Sequence, residues 1–304
     1  PITGTNGSIK RITPEILKMF RDKFLVAQNM NIAITGKLTT KEAQNLAERI
    51  SGNLRQGEKA KPLANPVEKN GFNIVYMPFN STQANVMFGH LGTIRNNPDR
   101  LALEVANRMF GGGGFNSILM QELRIKRGYT YGAYSSFSFS QSPGTFSFSY
   151  GTRQDQLVDS MKVAHKAYVD FVKKPIDAKQ LEETKAGMLR AFPNNYSSNS
   201  TINAQLGLLG FYDQPADYLS QYPKLLEKIT VSDVQQAVQK YMHPEDMTVI
   251  VVSQQLNKEQ LKHILQENLG TPSEPKQSPS TVASLPMPAT DVPAQTPSDK
   301  RAST

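Results

Sequence analysis

The chain has 304 residues, 38% of them hydrophobic, no cysteine, and a formal net charge of +8. That length allows one large or two ordinary domains with a sizeable core, and the lack of cysteine excludes disulfides and thiolate metal sites. Lysine and arginine are scattered, with no basic arm and no aromatic RNA-binding signature, so the charge reads as a basic surface and not as a nucleic-acid site. No run approaches the roughly 18–20 apolar residues of a membrane span.

The first elements form a helix–strand–helix unit that occurs twice. The segment RITPEILKMFRDKFLVAQNMNIAITGKLTTKE (11–42) aligns without a gap to KITVSDVQQAVQKYMHPEDMTVIVVSQQLNKE (228–259), at an offset of 217. Ile12, Thr13, Lys23, Met30, Lys41 and Glu42 match Ile229, Thr230, Lys240, Met247, Lys258 and Glu259. In both copies a threonine stands where a helix N-cap belongs. A short apolar strand follows, NMNIAITG or DMTVIVVS, and a second helix starts near Lys41 or Lys258. The offset is about one domain length, and the second copy ends a complete domain. Residues 1–54 are therefore expected to be the C-terminal remnant of a truncated first domain. Residues 55–70, RQGEKAKPLANPVEKN, read as a polar linker.

Residues 71–270 are expected to form a complete second domain. FNIVYMPF (72–79) and QANVMFGHLG (83–92) read as strands. Pro98–Phe110 reads as a helix, with Asn97 as its cap and Leu101, Val105 and Met109 on one face. The run Gly111, Gly112, Gly113, Gly114 follows. A further helix, Asn116–Arg127, stops at Gly128. YTYGAYSSFSFS (129–140) and GTFSFSYGT (144–152) alternate as strands joined by a short loop. Two long helices, about 153–173 and 177–191, break at Pro175, and more helix fills 199–240. Strands first and helices after predict an α+β fold, a mixed or antiparallel sheet covered by helices on one face. Residues 271–304 hold 7 of the 19 prolines and no aromatic residue, so they read as a disordered Pro/Ser-rich tail.

The chemistry is narrower. A zinc hydrolase needs clustered ligands, typically two histidines at i, i+4 with a glutamate between. His90, His165, His243 and His263 are far apart in sequence, so no metal site is expected in the chain itself. The glycine run lacks the P-loop Lys and follows a helix, which excludes both phosphate fingerprints. It reads either as a helix cap and turn or as a loop whose bare backbone approaches a ligand chain. Arg124 near a helix end and Tyr131 near a strand start can share one side of a cleft and hold a peptide carbonyl or a developing oxyanion. The plainer readings are a dipole-paired cation and a tyrosine that shares strand parity with Tyr129, Phe137 and Phe139 and faces a core. The serines of SSFSFSQSPGTFSFS have no G-x-S-x-G elbow and no nearby histidine.

The stretch GGGGFNSILMQELRIKRGYTYGAYS resembles the second-domain signature of pitrilysin/insulinase-type zinc metallopeptidases and mitochondrial processing peptidase-like proteins. A glycine-rich turn precedes S-x-L-x-x-x-L-R-x-x-x-G-x-x-Y, matched by Ser117, Leu119, Leu123, Arg124, Gly128 and Tyr131. The resemblance covers roughly residues 1–268. It implies repeated α+β domains closing around an unfolded peptide, with zinc on an H-x-x-E-H domain and the Arg124–Tyr131 pair reaching the substrate near the metal. Gly111–Gly114 match the preceding turn. This chain has no H-x-x-E-H, so zinc is expected in a missing domain or partner, and the chain alone is expected to be inactive. It would be a C-terminal part or a non-catalytic subunit, paired as a homodimer or heterodimer with a zinc-binding half. The alternative is a non-enzymatic scaffold or peptide-binding relative. The resemblance also implies a periplasmic or cell-envelope location.

Overall fold

The computed structural model describes residues 3–270; the tail expected over 271–304 lies outside them. The elements in chain order are α1 (Asn6–Ile9), α2 (Pro14–Phe24), α3 (Thr40–Gly52), β1 (Asn73–Pro78), β2 (Gln83–Leu91), α4 (Arg100–Asn107), β3 (Ala133–Phe137) and β4 (Thr145–Arg153). They continue with α5 (Leu157–Lys173), α6 (Ala178–Ala191), α7 (Asn199–Phe211), α8 (Tyr218–Lys228), α9 (Val231–Tyr241), β5 (Thr248–Ser253) and α10 (Lys258–Leu269).

The strands form one mixed sheet in the order β1-β5-β2-β4-β3. β1 pairs parallel to β5, and every other neighbour is antiparallel. Alternation along each strand decides which face is covered. β2 buries Ala84, Val86 and Phe88, β4 buries Phe146, Phe148 and Tyr150, and β5 buries Val249 and Val251. These side chains meet apolar residues of α4, α5, α9 and α10 in one core. Phe88 stacks on Phe148 at 4.7 Å between ring centroids, and Tyr168 of α5 lies 5.3 Å from Phe146. Full burial of an aromatic or large aliphatic side chain contributes about 1.5–3 kcal/mol, so this cluster dominates the stability. On the opposite face Val75, Met77, Met87 and Tyr134 are exposed. The α+β sheet covered by helices on one face is therefore the observed fold.

Local signals explain most element ends. Asp177 accepts a hydrogen bond from the Gln180 amide and caps α6, while Lys174, preceding Pro175, is extended and ends α5, as a pre-proline residue favours. The helix after Asn97 begins later than expected, at Arg100. Asn97 instead accepts from the Asp99 amide at 2.7 Å, a turn before the helix.

The repeat is reproduced helix by helix. α2 and α9 have the same bounds at the 217 offset, and Thr13 and Thr230 accept hydrogen bonds from the third helical amide of each. The strands differ. The second copy forms β5, held between β1 and β2. The first copy, NMNIAITG, forms none: residues 31–35 carry no ladder. A strand is a property of a pair, and no strand among the described residues lies beside this one. The helical faces differ likewise. α9 buries Val234, Ala237 and Val238, whereas α2 buries nothing and Leu17, at the position equivalent to Val234, is 58% exposed. Val26 is the buried hydrophobic residue of this segment, bridged to Arg55.

Candidate functional site

The glycine run extends α4. Its end, Arg108–Gly112, is a π-turn, and a second π-turn, Met120–Ile125, follows a short 3-10 segment. Such wide turns are rare and concentrate at functional sites. Gly111 is buried, and a Cβ there would fall 2.7 Å from the Ser135 main-chain nitrogen and 2.5 Å from its Oγ. The bare backbone at this position is thus needed to seat the turn against β3. Gly114 has φ +70°, which supplies the left-handed residue between the two helical pieces.

The second π-turn buries Met120 and Leu123 on the core side. Arg124 projects from the other side. Its guanidinium lies 4.6 Å from the centroid of Phe115 and donates to the Tyr131 carbonyl oxygen at 2.5 Å. The chain reaches Tyr131 through a glycine-closed helix end. Gly128 has φ +64°, its amide donates to Arg124, and the Tyr129 amide donates back to Leu123, the usual satisfaction of terminal carbonyls.

Tyr131 does not follow the strand parity. β3 starts only at Ala133 and covers a shorter span than the expected 129–140. Thr130 Oγ1 accepts from the Gly132 amide and donates to the Gly132 carbonyl, folding 130–132 into a tight turn. Tyr129, Phe137 and Phe139 pack on the core, but the turn sends Tyr131 outward, 85% exposed. Its hydroxyl has no hydrogen-bond partner among the described residues. Arg124 has no carboxylate partner among them either, because neighbouring Glu122 is taken by Lys126 at 2.5 Å and Arg127 at 2.6 Å. The arrangement presents a guanidinium and a free phenol on one exposed rim. It can donate hydrogen bonds to a carbonyl or an oxyanion, but it holds no group placed to activate water. Phe115, which orients Arg124 from below, was not singled out in the sequence; an aromatic residue directly after the glycine run was its signal.

The four histidines do not fit the family's zinc site. Buried His90 pairs its Nδ1 with the Leu91 carbonyl, and its Nε2 accepts from the Tyr168 hydroxyl at 2.6 Å and the His243 amide at 3.3 Å. Buried His165 pairs its Nε2 with the Pro244 carbonyl, and its Nδ1 accepts from Asn268. Burial pushes both imidazoles down to about 4. Exposed His263 faces Glu267 at 3.1 Å. His243, Glu245 and Asp246 do offer three ligand atoms within 4.8 Å of one another. However, the Glu245 carboxylate beside His243 raises its pKa, and Asp246 accepts from the Gly71 amide at 2.6 Å. The trio precedes β5, at the opposite end of the sheet from Tyr131 by register.

The sequence pattern of the peptidase M16 inactive domain matches residues 11–188. A Helicobacter pylori protein called a non-peptidase homolog, YmxG, is 23% identical over 254 residues, 82% of this chain and 58% of its own length. An uncharacterized zinc protease of Rickettsia felis is 30% identical over 157 residues, 52% of this chain and 37% of its own. Among solved structures, a peptidase M16 inactive domain from Pseudomonas fluorescens superimposes with a TM-score of 0.77 at 31% identity, covering 83% of this chain and 60% of that one. The chain thus spans less than two thirds of the length of each of these relatives.

Proposed function

This chain belongs to the peptidase M16 family, in the part described as its inactive domain, and from that premise we propose that it is the substrate-gripping half of a zinc peptidase. It binds an extended peptide or unfolded polypeptide and completes an active site whose zinc sits on a joined domain or partner. The observation that carries this reading is the rim itself. Arg124 is fixed on Phe115 and the Tyr131 carbonyl, while the Tyr131 phenol stands 85% exposed with no structural task. Groups held ready at such a rim stabilise charge that develops on a substrate oxygen. The zinc would supply the activated water there; this chain's part is to bind and orient.

The same reading divides the chain at 1–54, 55–70 and 71–270, the first piece completing a preceding domain. The exposed apolar row Ile16, Leu17 and Phe20 supports that division. A zinc-bearing half, in the same chain or as a homodimeric or heterodimeric partner, is the proposed companion. The periplasm or cell envelope is the proposed compartment, on the family resemblance, and cell fractionation tests it.

The test reconstitutes the chain with a zinc-bearing M16 half and measures peptide turnover. Arg124→Ala and Tyr131→Phe should each lower kcat by about 10²-fold, the loss typical of one oxyanion donor, with assembly intact. The purified chain alone should not cleave peptides with or without zinc. Unchanged turnover in both variants would instead favour a scaffold, the second reading, which the name of the Helicobacter relative supports.

A further inference from the structure

A cleft of about 560 Å³ runs along α5, bounded by the turn that carries Arg124, the start of α6 and the end of α10. Its size lies in the range of small-molecule sites. The floor is apolar, built from Met109, Ile118, Val163, Phe171 and Ile176. The rim is charged, and its carboxylates are already engaged. Glu122 is bridged by Lys126 and Arg127, Asp170 by Lys166 and Lys174, and Asp177 caps α6. Lys162 differs. It lines the same cleft, and its ammonium makes no ion pair among the described residues, while its carbonyl accepts from Asn268 at 2.9 Å. Each of the two bridged carboxylates is shared by two cations, so the rim carries net positive charge at the edge of an apolar floor, and Lys162 is its cation without an ion pair among the described residues.

The geometry points to a binding site for a medium-chain fatty carboxylate, its alkyl chain on the Met109–Phe171 floor and its carboxylate on Lys162. Charge selects the headgroup, since the rim's cations outnumber its carboxylates and Lys162 has no ion pair among the described residues. The walls select the tail. They are largely helical, and helix amides and carbonyls are already bonded within the helix. A peptide main chain lying there would leave its own polar groups without partners, whereas an alkyl chain needs none.

Isothermal titration of the full chain with decanoate, octanoate and decanol tests the site. Decanoate should bind saturably. Octanoate, two methylenes shorter, should bind about tenfold more weakly, from the free energy of burying each methylene. Decanol should bind more weakly than decanoate, and Lys162→Gln should remove that difference, weakening decanoate about threefold, as a partly exposed ion pair allows, without changing decanol. Lys162 is a surface residue outside the core, so the variant keeps the fold, and thermal unfolding verifies this. The proposal is overturned if decanoate shows no saturable binding, if decanol binds equally well, or if Lys162→Gln leaves decanoate unaffected.

Discussion

Mild acid should destabilise this fold through two buried imidazoles. The partners of His90 and His165 fix both rings as neutral. A carbonyl faces one nitrogen of each ring, and groups that only donate, the His243 backbone amide and the Asn268 side-chain NH₂, face the other. Protonation would set an N–H against a donor in a dry site. Burial accordingly holds both near 4, below the ordinary 6.5, a difference of about 3 kcal/mol per ring. The folded-state values are depressed, so the unfolded chain takes up protons first as pH falls. The stability is fully present above about pH 6.5 and is lost on descending toward 4. By about pH 5 each ring should cost about 2 kcal/mol, or about 4 together, a large share of a typical 5–15 kcal/mol. His243 has the opposite sign. Its raised value contributes stability below its unfolded pKa, which is lost as pH rises through the folded one. Glu122 and Asp170, whose lysine and arginine neighbours outweigh burial and lower their pKa values, act at more acid pH. Urea unfolding at about pH 7 and pH 5 measures the effect, and NMR of the imidazole carbons assigns it. Equal stability at both, or ring signals titrating near 6.5, would refute the argument.

Four further outcomes follow from the packing. Gly111→Ala should cost about 1–3 kcal/mol by urea midpoint, the penalty of overpacking, because its Cβ meets the β3 backbone. Gly207→Ala, inside α7 with no atom within 4 Å of the added carbon, should stabilise by about 0.5–1 kcal/mol. Thr230→Ala, which removes the capping box of α9, should cost about 1 kcal/mol, whereas Tyr131→Phe should leave the midpoint within about 0.5 kcal/mol.

The helices of the repeat were legible because caps and 3.6-residue periodicity are local. Thr13 and Thr230 announce α2 and α9 from sequence alone. The strand between the helices was legible only as a tendency: DMTVIVVS finds β1 and β2 to pair with, and NMNIAITG finds nothing. Tyr131 was ambiguous for a related reason. Alternation from Tyr129 to Phe139 suggested one continuous strand, but the Thr130–Gly132 hydrogen bonds break the period and turn the ring outward. The glycine run showed that bare backbone was needed without showing what approaches it; at Gly111 that is Ser135 of β3, distant in sequence. The Phe115–Arg124 stack depends on two successive wide turns, and no side-chain period signals a π-turn.

The strand order also has a temporal meaning. β5, the last strand in chain order among the described residues, is inserted between β1 and β2, the first two. During synthesis β2, β4 and β3 can close their antiparallel ladders while β1 waits with its hydrogen-bonding edge unclaimed, since its partner lies about one domain length downstream. Closure of such distant pairs slows folding and prolongs the exposure of unpaired edges. A nascent chain stopped before Thr248 would therefore present two adhesive edges, one on β1 and one on β2. The single event that retires both is the arrival of residues 248–253.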